Sequence, residues 1–231
     1  MSDSKNNLWI TGQRIKIVVG HYGSGKTEIA LNMARSVAQA GYPVTLVDVD
    51  VVNPFFRSAE RGAWLAEHGI ELIAPPYALT GVDIPALPAQ VFSVFSRLER
   101  RAIFDVGGDD AGAVALGQYR AQFEASGYEL LYVVNAFRPR SDNAEEVVEI
   151  IGRIARRSRL QPTGLINNAN LAGETTAAEL ERGAALLHEV GARTGLPIVA
   201  TCGIKRALDA FDCDTPKFAI ERQLVPEWMD A

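Results

Sequence analysis

The residues best suited to do chemistry lie in one short segment, Gly20-His21-Tyr22-Gly23-Ser24-Gly25-Lys26-Thr27. This segment matches the pattern G-x-x-x-x-G-K-[ST] at every fixed position. Its glycines allow the backbone to turn with positive φ and to bring its N–H groups against phosphate oxygens. Lys26 would add a point charge to the β- and γ-phosphates, and the Thr27 hydroxyl would bind Mg²⁺. The segment therefore predicts a cradle for a nucleoside triphosphate.

The elements on either side of this segment support the same interpretation. An apolar run at 15–19 predicts a buried strand, and from Thr27 apolar residues recur at helical spacing until Gly41. A helix that starts directly after the cradle places the positive end of its dipole on the same anion. We therefore predict that residues 20–27, together with Glu28, contact the nucleotide.

Carboxylates follow two other apolar runs. Asp48 and Asp50 come after the run 43–47, and Asp105 comes directly after the run 102–104. Ligands bind beyond the carboxyl ends of the strands in open parallel sheets, so an aspartate at a strand end is well placed to hold Mg²⁺ through water. We predict this role for Asp105. The competing interpretation is that these acids cap loops or helices.

Segments with strand and helix patterns alternate along the chain. Near-continuous apolar runs of four to five residues indicate strands that are covered on both faces, which predicts a doubly wound, mostly parallel sheet between two layers of helices. The length of 231 residues fits one α/β domain that spans 1–231. The predicted strands are 15–19, 43–47, 70–73, 102–104, 129–134, 164–166 and 197–200, and the predicted helices are 27–38, 57–68, 89–98, 111–126 in part, 144–157 and 175–193.

The composition argues against several classes of protein. Hydrophobic residues make up 48% and the formal net charge is −5, which fits a soluble globular protein without a nucleic-acid footprint. Cys202 and Cys213 have no metal-ligand spacing, and a disulfide framework is not expected, which indicates a reducing compartment. Neither a signal peptide nor a membrane span is predicted, and residues 218–231 lack the basic face of a membrane helix. We therefore expect a cytoplasmic protein.

Together these motifs resemble the MinD/ParA-like P-loop ATPases, SIMIBI-class members of the CobQ/CobB/MinD/ParA nucleotide-binding domain family. The resemblance covers about 15–200, and its specific features are the phosphate loop, an Asp-x-Asp that places Asp50 24 residues after Lys26, and the Asp-x-x-Gly at 105–108. It implies the three-layer fold of a P-loop NTPase. It also implies ATP and Mg²⁺ as cofactors, and slow hydrolysis that switches the affinity for a partner protein.

The resemblance also implies roles for single residues. Asp50 corresponds to an aspartate that positions the attacking water, Asp48 to a carboxylate near Mg²⁺, and Asn167 to an asparagine that reads the base. The catalytic candidates are then Lys26, Asp50 and Asp105, and the metal-ligand candidates are Thr27, Asp48 and Asp105.

The loop departs from the family pattern Lys-Gly-Gly-x-Gly-Lys-Thr at two positions. His21 replaces the first lysine and Tyr22 replaces the following glycine. In the family, that lysine reaches the phosphates of a partner subunit, so its absence puts the homodimer with two nucleotides at its interface in doubt. A protonated His21 is one replacement, but a histidine with an ordinary pKa is mostly neutral at pH 7, which favours a loop residue beside solvent.

The sequence leaves alternatives for which base is bound and which reaction is catalysed. Nickel-insertion GTPases share the loop but need Asn-Lys-x-Asp to read guanine, whereas this chain has Asn-Asn-Ala-Asn at 167–170. An amide offers one acceptor oxygen where a carboxylate accepts two N–H bonds from guanine, which favours ATP. The alternatives are a GTPase of the nickel-insertion type, a ligase or kinase of the dethiobiotin synthetase type, and a nucleotide-binding module with negligible turnover.

Two arginine-containing segments are secondary candidates. Residues 135–140 follow a predicted strand at the same edge of the sheet, so Arg138 or Arg140 is a candidate to approach a phosphate or a partner. A second run, with arginines at 153, 156, 157 and 159, is interpreted as a solvated helix end that complements the helix dipole.

Overall fold

The computed structural model describes residues 8–49, 62–74, 89–108 and 110–223. Within these ranges the strands are β1 Ile15–Gly20, β2 Val44–Asp48, β3 Ile70–Ile73, β4 Arg101–Asp105, β5 Glu129–Val134, β6 Gly164–Asn167, β7 Ile198–Gly203 and β8 Lys217–Ala219. The helices are α1 Lys26–Gln39, α2 Gly62–Glu67, α3 Val91–Ser96, α4 Asp110–Gly117, α5 Arg120–Ser126, α6 Ala144–Ser158, α7 Ala177–Thr194 and α8 Lys205–Ala210. A short 3₁₀ turn covers Ala172–Glu174.

The described strands form a single sheet in the order β3-β2-β4-β1-β5-β6-β7-β8. Every described pair of neighbouring strands is parallel, which confirms the predicted doubly wound α/β fold. The chain leaves β1 toward β2 on one side and later returns to β5 on the other side. Ligands bind beyond the carboxyl ends of the strands at such a reversal, so the topology predicts a ligand site at the end of β1.

Side chains of the central strand alternate between two apolar layers. Ile15, Ile17 and Val19 belong to the layer that contains α4, α5 and α6, whereas Val18 belongs to the layer that contains α1. Burial on both faces explains why the strand is a nearly continuous apolar run, interrupted by the buried Lys16, rather than an alternating one. Among the described residues, no helix combines the length and apolarity that a bilayer crossing requires.

Several predicted helices and strands differ from those in the structure. The sequence pattern predicts no element after 200, but α8 and β8 follow β7. The strand β8 has three residues, of which only Phe218 is buried, too few to produce a periodic signal. The segment 111–126 forms two helices rather than one, α4 and α5. The first part of the predicted helix 57–68 lies outside the described residues.

Candidate functional site

The loop between β1 and α1 forms one wall of a cavity of about 300 Å³ at the carboxyl edge of the sheet. Gly25 precedes the first helical residue with φ +88°, and a Cβ atom there would lie 2.3 Å from Asn168 Nδ2. Glycine is therefore required both for the left-handed conformation and for the close approach. Because Gly25 has no side chain to cap α1, the first N–H groups of the helix are left for a ligand.

Lys26 curls back across this loop. Its side chain is only 8% exposed, and Nζ donates a hydrogen bond to the His21 carbonyl oxygen at 3.0 Å. Lys26, Thr27 and Glu28 line the cavity, as do Tyr22, Gly23 and Gly25 of the loop. Gly20, His21 and Ser24 are also part of the loop but are not among the residues that line it. The structure thus brings together the lysine and the hydroxyl that the sequence pattern predicts.

Two aspartates lie side by side at the ends of neighbouring strands. Asp48 of β2 and Asp105 of β4 are paired residues in the ladder, and they are 2% and 5% exposed. Neighbouring strands are about 4.8 Å apart, so the two carboxylates leave the same edge of the sheet close together, and carboxylate oxygens are ligands that Mg²⁺ prefers. Asp105 also lines the cavity that contains Thr27. This edge of the sheet is therefore suited to a cation.

The donor set fits Mg²⁺ better than a transition metal. The described residues contain no group of three or more His, Cys, Asp or Glu side chains able to hold a metal ion. Mg²⁺ does not need such a cage, because it keeps several waters and takes one or two carboxylates together with phosphate oxygens. The Thr27 hydroxyl and the Asp105 carboxylate, with Asp48 beside it, match that requirement. Asp50, predicted to position water, lies outside the described residues.

The segment after β4 packs directly on the phosphate loop. A Cβ atom on Gly108 would lie 2.8 Å from the Tyr22 backbone nitrogen and 3.1 Å from Lys26 Nζ, so only glycine allows this approach. The helix α4 begins two residues later at Asp110 and is tied to α6, because Arg153 Nε lies 3.3 Å from the Asp110 carboxylate. The arginine at 153 is therefore an inter-helix contact rather than part of a solvated helix end. The segment from Asp105 to α4 connects the cavity to a neighbouring helix.

The opposite wall of the cavity comes from the loops after β6 and β7. Asn168 is 6% exposed, and its Nδ2 donates to the Ser24 carbonyl oxygen at 2.7 Å, which fixes this wall against the phosphate loop. Asn170 donates from Nδ2 to the Asn168 carbonyl oxygen at 2.7 Å. The described lining residues of this wall are Asn168, Asn170, Ala172, Thr175, Gly203 and Ile204.

Asn167, the predicted base contact, is placed differently from its neighbours. It is fully buried, donates from Nδ2 to the Leu180 carbonyl oxygen at 2.9 Å, and accepts from the Ala169 N–H at 3.1 Å. A Cβ atom on Gly183 would lie 2.2 Å from its Oδ1, so α7 also packs closely against it. Asn167 does not line the cavity, whereas Asn168 and Asn170 do. The run of asparagines lies in a loop that reaches the cavity, but only the fold distinguishes which of its members line it.

A segment after β8 completes the cavity, and no sequence motif indicates it. We call residues 220–223 the strap. Ile220 and Arg222 of the strap line the cavity. Between them, the Glu221 N–H donates to Asn32 Oδ1 at 3.0 Å, and Asn32 Nδ2 donates to the Glu221 carbonyl oxygen at 2.9 Å. The strap is therefore fastened to α1, the helix that follows the phosphate loop.

Charged groups strengthen this attachment. Both terminal nitrogens of Arg35 donate to the Glu221 carboxylate, and the Gln223 N–H donates to Glu28 Oε1. The hydrogen bonds from Arg35 lower the pKa of Glu221 below its ordinary value. Glu28, Asn32 and Arg35 are spaced four and three residues apart, so they share one face of α1. The helix thus holds the phosphate loop at its start and the strap along its side.

Comparisons with known proteins agree with this geometry. The model of the CobQ/CobB/MinD/ParA nucleotide binding domain matches residues 15–197. Tyrosine-protein kinase CpsD of Streptococcus pneumoniae is 37% identical over 68 residues, which is 26% of this chain and 30% of the kinase. The matched region therefore spans under a third of that relative.

Solved structures show the same fold at low sequence identity. Cell division protein FtsY from Thermotoga maritima has a TM-score of 0.55 and 19% identity, over 87% of this chain and 66% of that one. The Signal Recognition Particle 54 kDa protein from Aeropyrum pernix K1, in complex with GDP, has a TM-score of 0.54 and 20% identity, over 93% of this chain and 47% of that one. The chain covers less than two thirds of either structure.

Proposed function

The chain belongs to the CobQ/CobB/MinD/ParA nucleotide binding domain family, and from this premise we propose that it is a Mg²⁺-dependent ATPase that binds ATP in the cavity beyond β1. The observation that carries the proposal is the convergence of the phosphate loop, Lys26 and Asp105 on one cavity. Hydrolysis would change the affinity for a partner protein, as the family membership suggests. The choice of ATP, the requirement for Mg²⁺ and the existence of a partner protein all belong to this proposal.

The geometry supports a role for each group around the phosphates. The backbone N–H groups of the loop and of the first turn of α1 bind phosphate oxygens, and Lys26 exchanges its bond to the His21 carbonyl for the same anion. Thr27 would hold Mg²⁺ directly, and Asp105 would hold it through water. When bound, the ion neutralises charge on the β- and γ-phosphates. Asp50 keeps the proposed role of positioning the attacking water.

The wall that would face the base supports adenine over guanine. Ile204 and Ile220 are apolar side chains beside which a flat purine can pack, and Asn168 and Asn170 supply amide groups. No carboxylate is among the described residues of this wall or of the strap that line the cavity. Guanine needs an acceptor for its N1–H and N2–H groups, whereas an amide complements the paired donor and acceptor of adenine. We therefore assign the base contact to Asn168 or Asn170 rather than to Asn167.

Titration of the chain with ATP, GTP and CTP tests the nucleotide assignment. We expect ATP to bind at least tenfold more tightly than GTP, because guanine would leave its N–H donors without a carboxylate. Isothermal calorimetry with Mg²⁺, and again with excess EDTA, measures both the preference and the metal requirement. Tighter binding of GTP would support the nickel-insertion type of GTPase instead.

Turnover assays on the same protein distinguish the three candidate functions. Release of phosphate from ATP and Mg²⁺ alone is the result expected for a switch ATPase. Turnover that depends on an added carboxylate or amine substrate would identify a ligase or kinase of the dethiobiotin synthetase type. Tight binding without turnover in either assay would identify a binding module.

The strap leads to a separate prediction about affinity. In Arg35→Ala the strap loses its charged attachment to α1, so Ile220 and Arg222 are held less firmly against the cavity. We expect the Kd for ATP to rise roughly three- to tenfold, which corresponds to about 1 kcal/mol for a bidentate pair at a partly exposed site. Calorimetry at pH 7 measures the change.

The pH dependence and a control follow from the ion pair itself. Because the pKa of Glu221 is lowered in the folded chain, the attachment is present above its ordinary pKa of about 4.5 and is lost as the pH falls through the lowered value. Arg193→Ala removes a similar ion pair, with Glu189, away from the cavity and is expected to leave affinity unchanged. Equal affinities of the Arg35 and Arg193 variants would contradict a role for the strap.

A further inference from the structure

We propose that Arg138 is a second cationic contact to the phosphate chain of the bound nucleotide, supplied from the loop after β5. The proposal rests on the proposed function, because it requires a triphosphate in the cavity. Arg138 lines the same cavity as Lys26, and its Nε donates to the Gly23 carbonyl oxygen at 3.1 Å. The arginine therefore lies against the phosphate loop itself.

The side chain of Arg138 is anchored without using most of its donors. A Cβ atom on Gly23 would lie 3.5 Å from both Cδ and Nε of Arg138, so the arginine stem packs along the loop backbone. A guanidinium has five N–H donors, and the bond to Gly23 uses only the one on Nε. Among the described residues, no acidic side chain forms an ion pair with Arg138. The donors on its terminal nitrogens are available to an anion in the cavity.

The loop that carries Arg138 is held in place by hydrogen bonds. The Arg138 N–H donates to the Asn135 carbonyl oxygen at 3.1 Å, and the Ser141 N–H donates to the Arg138 carbonyl oxygen at 3.0 Å. Asn135 Oδ1 accepts from Asn170 N–H at 3.2 Å, which links this loop to the one after β6. A loop fixed on both sides keeps the guanidinium close to its working position, so little ordering is required when the nucleotide binds.

The other basic groups near this end of the cavity differ from Arg138 in charge or in position. Burial lowers the pKa of His21, and Arg140, Lys26 and Arg153 lower it further, so the imidazole is neutral at pH 7. Arg140 is in the same loop as Arg138 but does not line the cavity. Arg222 lines it from the strap. Lys26 and Arg138 are thus the cationic side chains that contact or flank the phosphate loop within the described cavity.

Arg138 would act on hydrolysis by stabilising charge. Water forms the new bond to the γ-phosphorus, the bridging oxygen leaves with its electron pair on ADP, and the proton of water passes to phosphate or solvent. Arg138 stays protonated throughout, and its N–H groups offset the negative charge that develops on the leaving and transferring oxygens. An arginine supplied from within the same chain is an established way to accelerate this reaction.

Kinetics of Arg138 variants test the proposal. In Arg138→Ala we expect kcat for ATP hydrolysis to fall about 10²- to 10³-fold, with less than a fivefold change in the Kd for ADP. Free guanidinium added at millimolar concentration should restore part of the lost rate, and Arg138→Lys should retain part of it. Arg193→Ala, which removes an exposed arginine away from the cavity, is the control and should keep the rate of the unmodified chain.

A second measurement does not depend on basal turnover. ADP with aluminium fluoride mimics the transferring phosphoryl group, and Arg138→Ala should weaken its binding at least tenfold more than it weakens the binding of ADP alone. Equal weakening of both ligands, with no rescue by guanidinium, would mean that Arg138 only supports the loop and would overturn the proposal. Failure of the unmodified chain to bind ATP at all would instead refute the proposed function.

Discussion

Replacement of Lys26 by alanine is expected to raise the Kd for ATP by about 10²-fold or more. The ammonium group is nearly buried at the cavity wall, where its hydrogen bond to the His21 carbonyl can be exchanged for bonds to phosphate oxygens. Each hydrogen bond that involves a charged group contributes about 1.5–3 kcal/mol, and two such bonds account for the expected loss. Calorimetric titration with ATP and Mg²⁺ measures it directly.

The fold should survive this substitution, which makes the result interpretable. The hydrogen bond from Lys26 Nζ to the His21 carbonyl oxygen lies within the phosphate loop, and its loss leaves the bond from Asn168 Nδ2 to the Ser24 carbonyl oxygen that joins this loop to the opposite wall. Lys205→Ala provides a matched control, because Lys205 is an exposed lysine that pairs with Asp209 on α8. Binding of ATP by Lys26→Ala with the affinity of the Lys205 control would refute the proposed phosphate site.

Replacement of Asp105 by asparagine is expected to lower the Mg²⁺-dependent kcat about 10²- to 10³-fold. The amide keeps the size of the side chain but removes the charge that would hold the hydrated ion against the β- and γ-phosphates. Steady-state phosphate release over a range of Mg²⁺ concentrations measures the effect. A higher Mg²⁺ requirement should accompany the lower maximal rate.

Thermal unfolding supplies an independent measure for the same variant. Asp48 and Asp105 are buried neighbours across β2 and β4, and asparagine keeps a polar side chain of the same size at that place in the ladder. We expect the increase in Tm on adding ATP and Mg²⁺ to shrink in Asp105→Asn, while Tm without Mg²⁺ is retained. Asp214→Asn, the same change at an exposed position, should respond like the unmodified chain. A full Mg²⁺ response in Asp105→Asn would exclude a metal role for this residue.

The sequence predicted the parts of the site that depend on residues close together in the chain. The turn at Gly25, the return of Lys26 over the loop and the start of α1 all follow from conformational preferences within a few residues. The apolar runs likewise predicted the strands of the central sheet, because burial on both faces imposes a continuous pattern. Asp105 was expected at a strand end and lies there.

The tertiary structure alone decided which of several similar residues reach the cavity. Asn168 and Asn170 line it whereas Asn167 is turned into the protein, and Arg138 lines it whereas Arg140 does not. Residues of the same type that lie close together in a motif cannot be distinguished from the sequence. Their side-chain directions depend on where the strand ends and on what packs against it, such as the close approach of α7 to Asn167.

The strap is a second feature that the sequence pattern does not predict, because its contacts join residues that are far apart in the chain. Glu221 and Asn32 are 189 positions apart, and β8 becomes a strand by pairing with β7 and by the packing of Phe218 against Trp9. Such contacts depend on the closure of long loops and on the order of strands in the sheet, neither of which leaves a local pattern. The sequence by itself therefore determined the family, the phosphate loop and the parallel sheet. Strand order and long-range packing decided the opposite wall of the cavity and the position of Arg138 beside the phosphate loop.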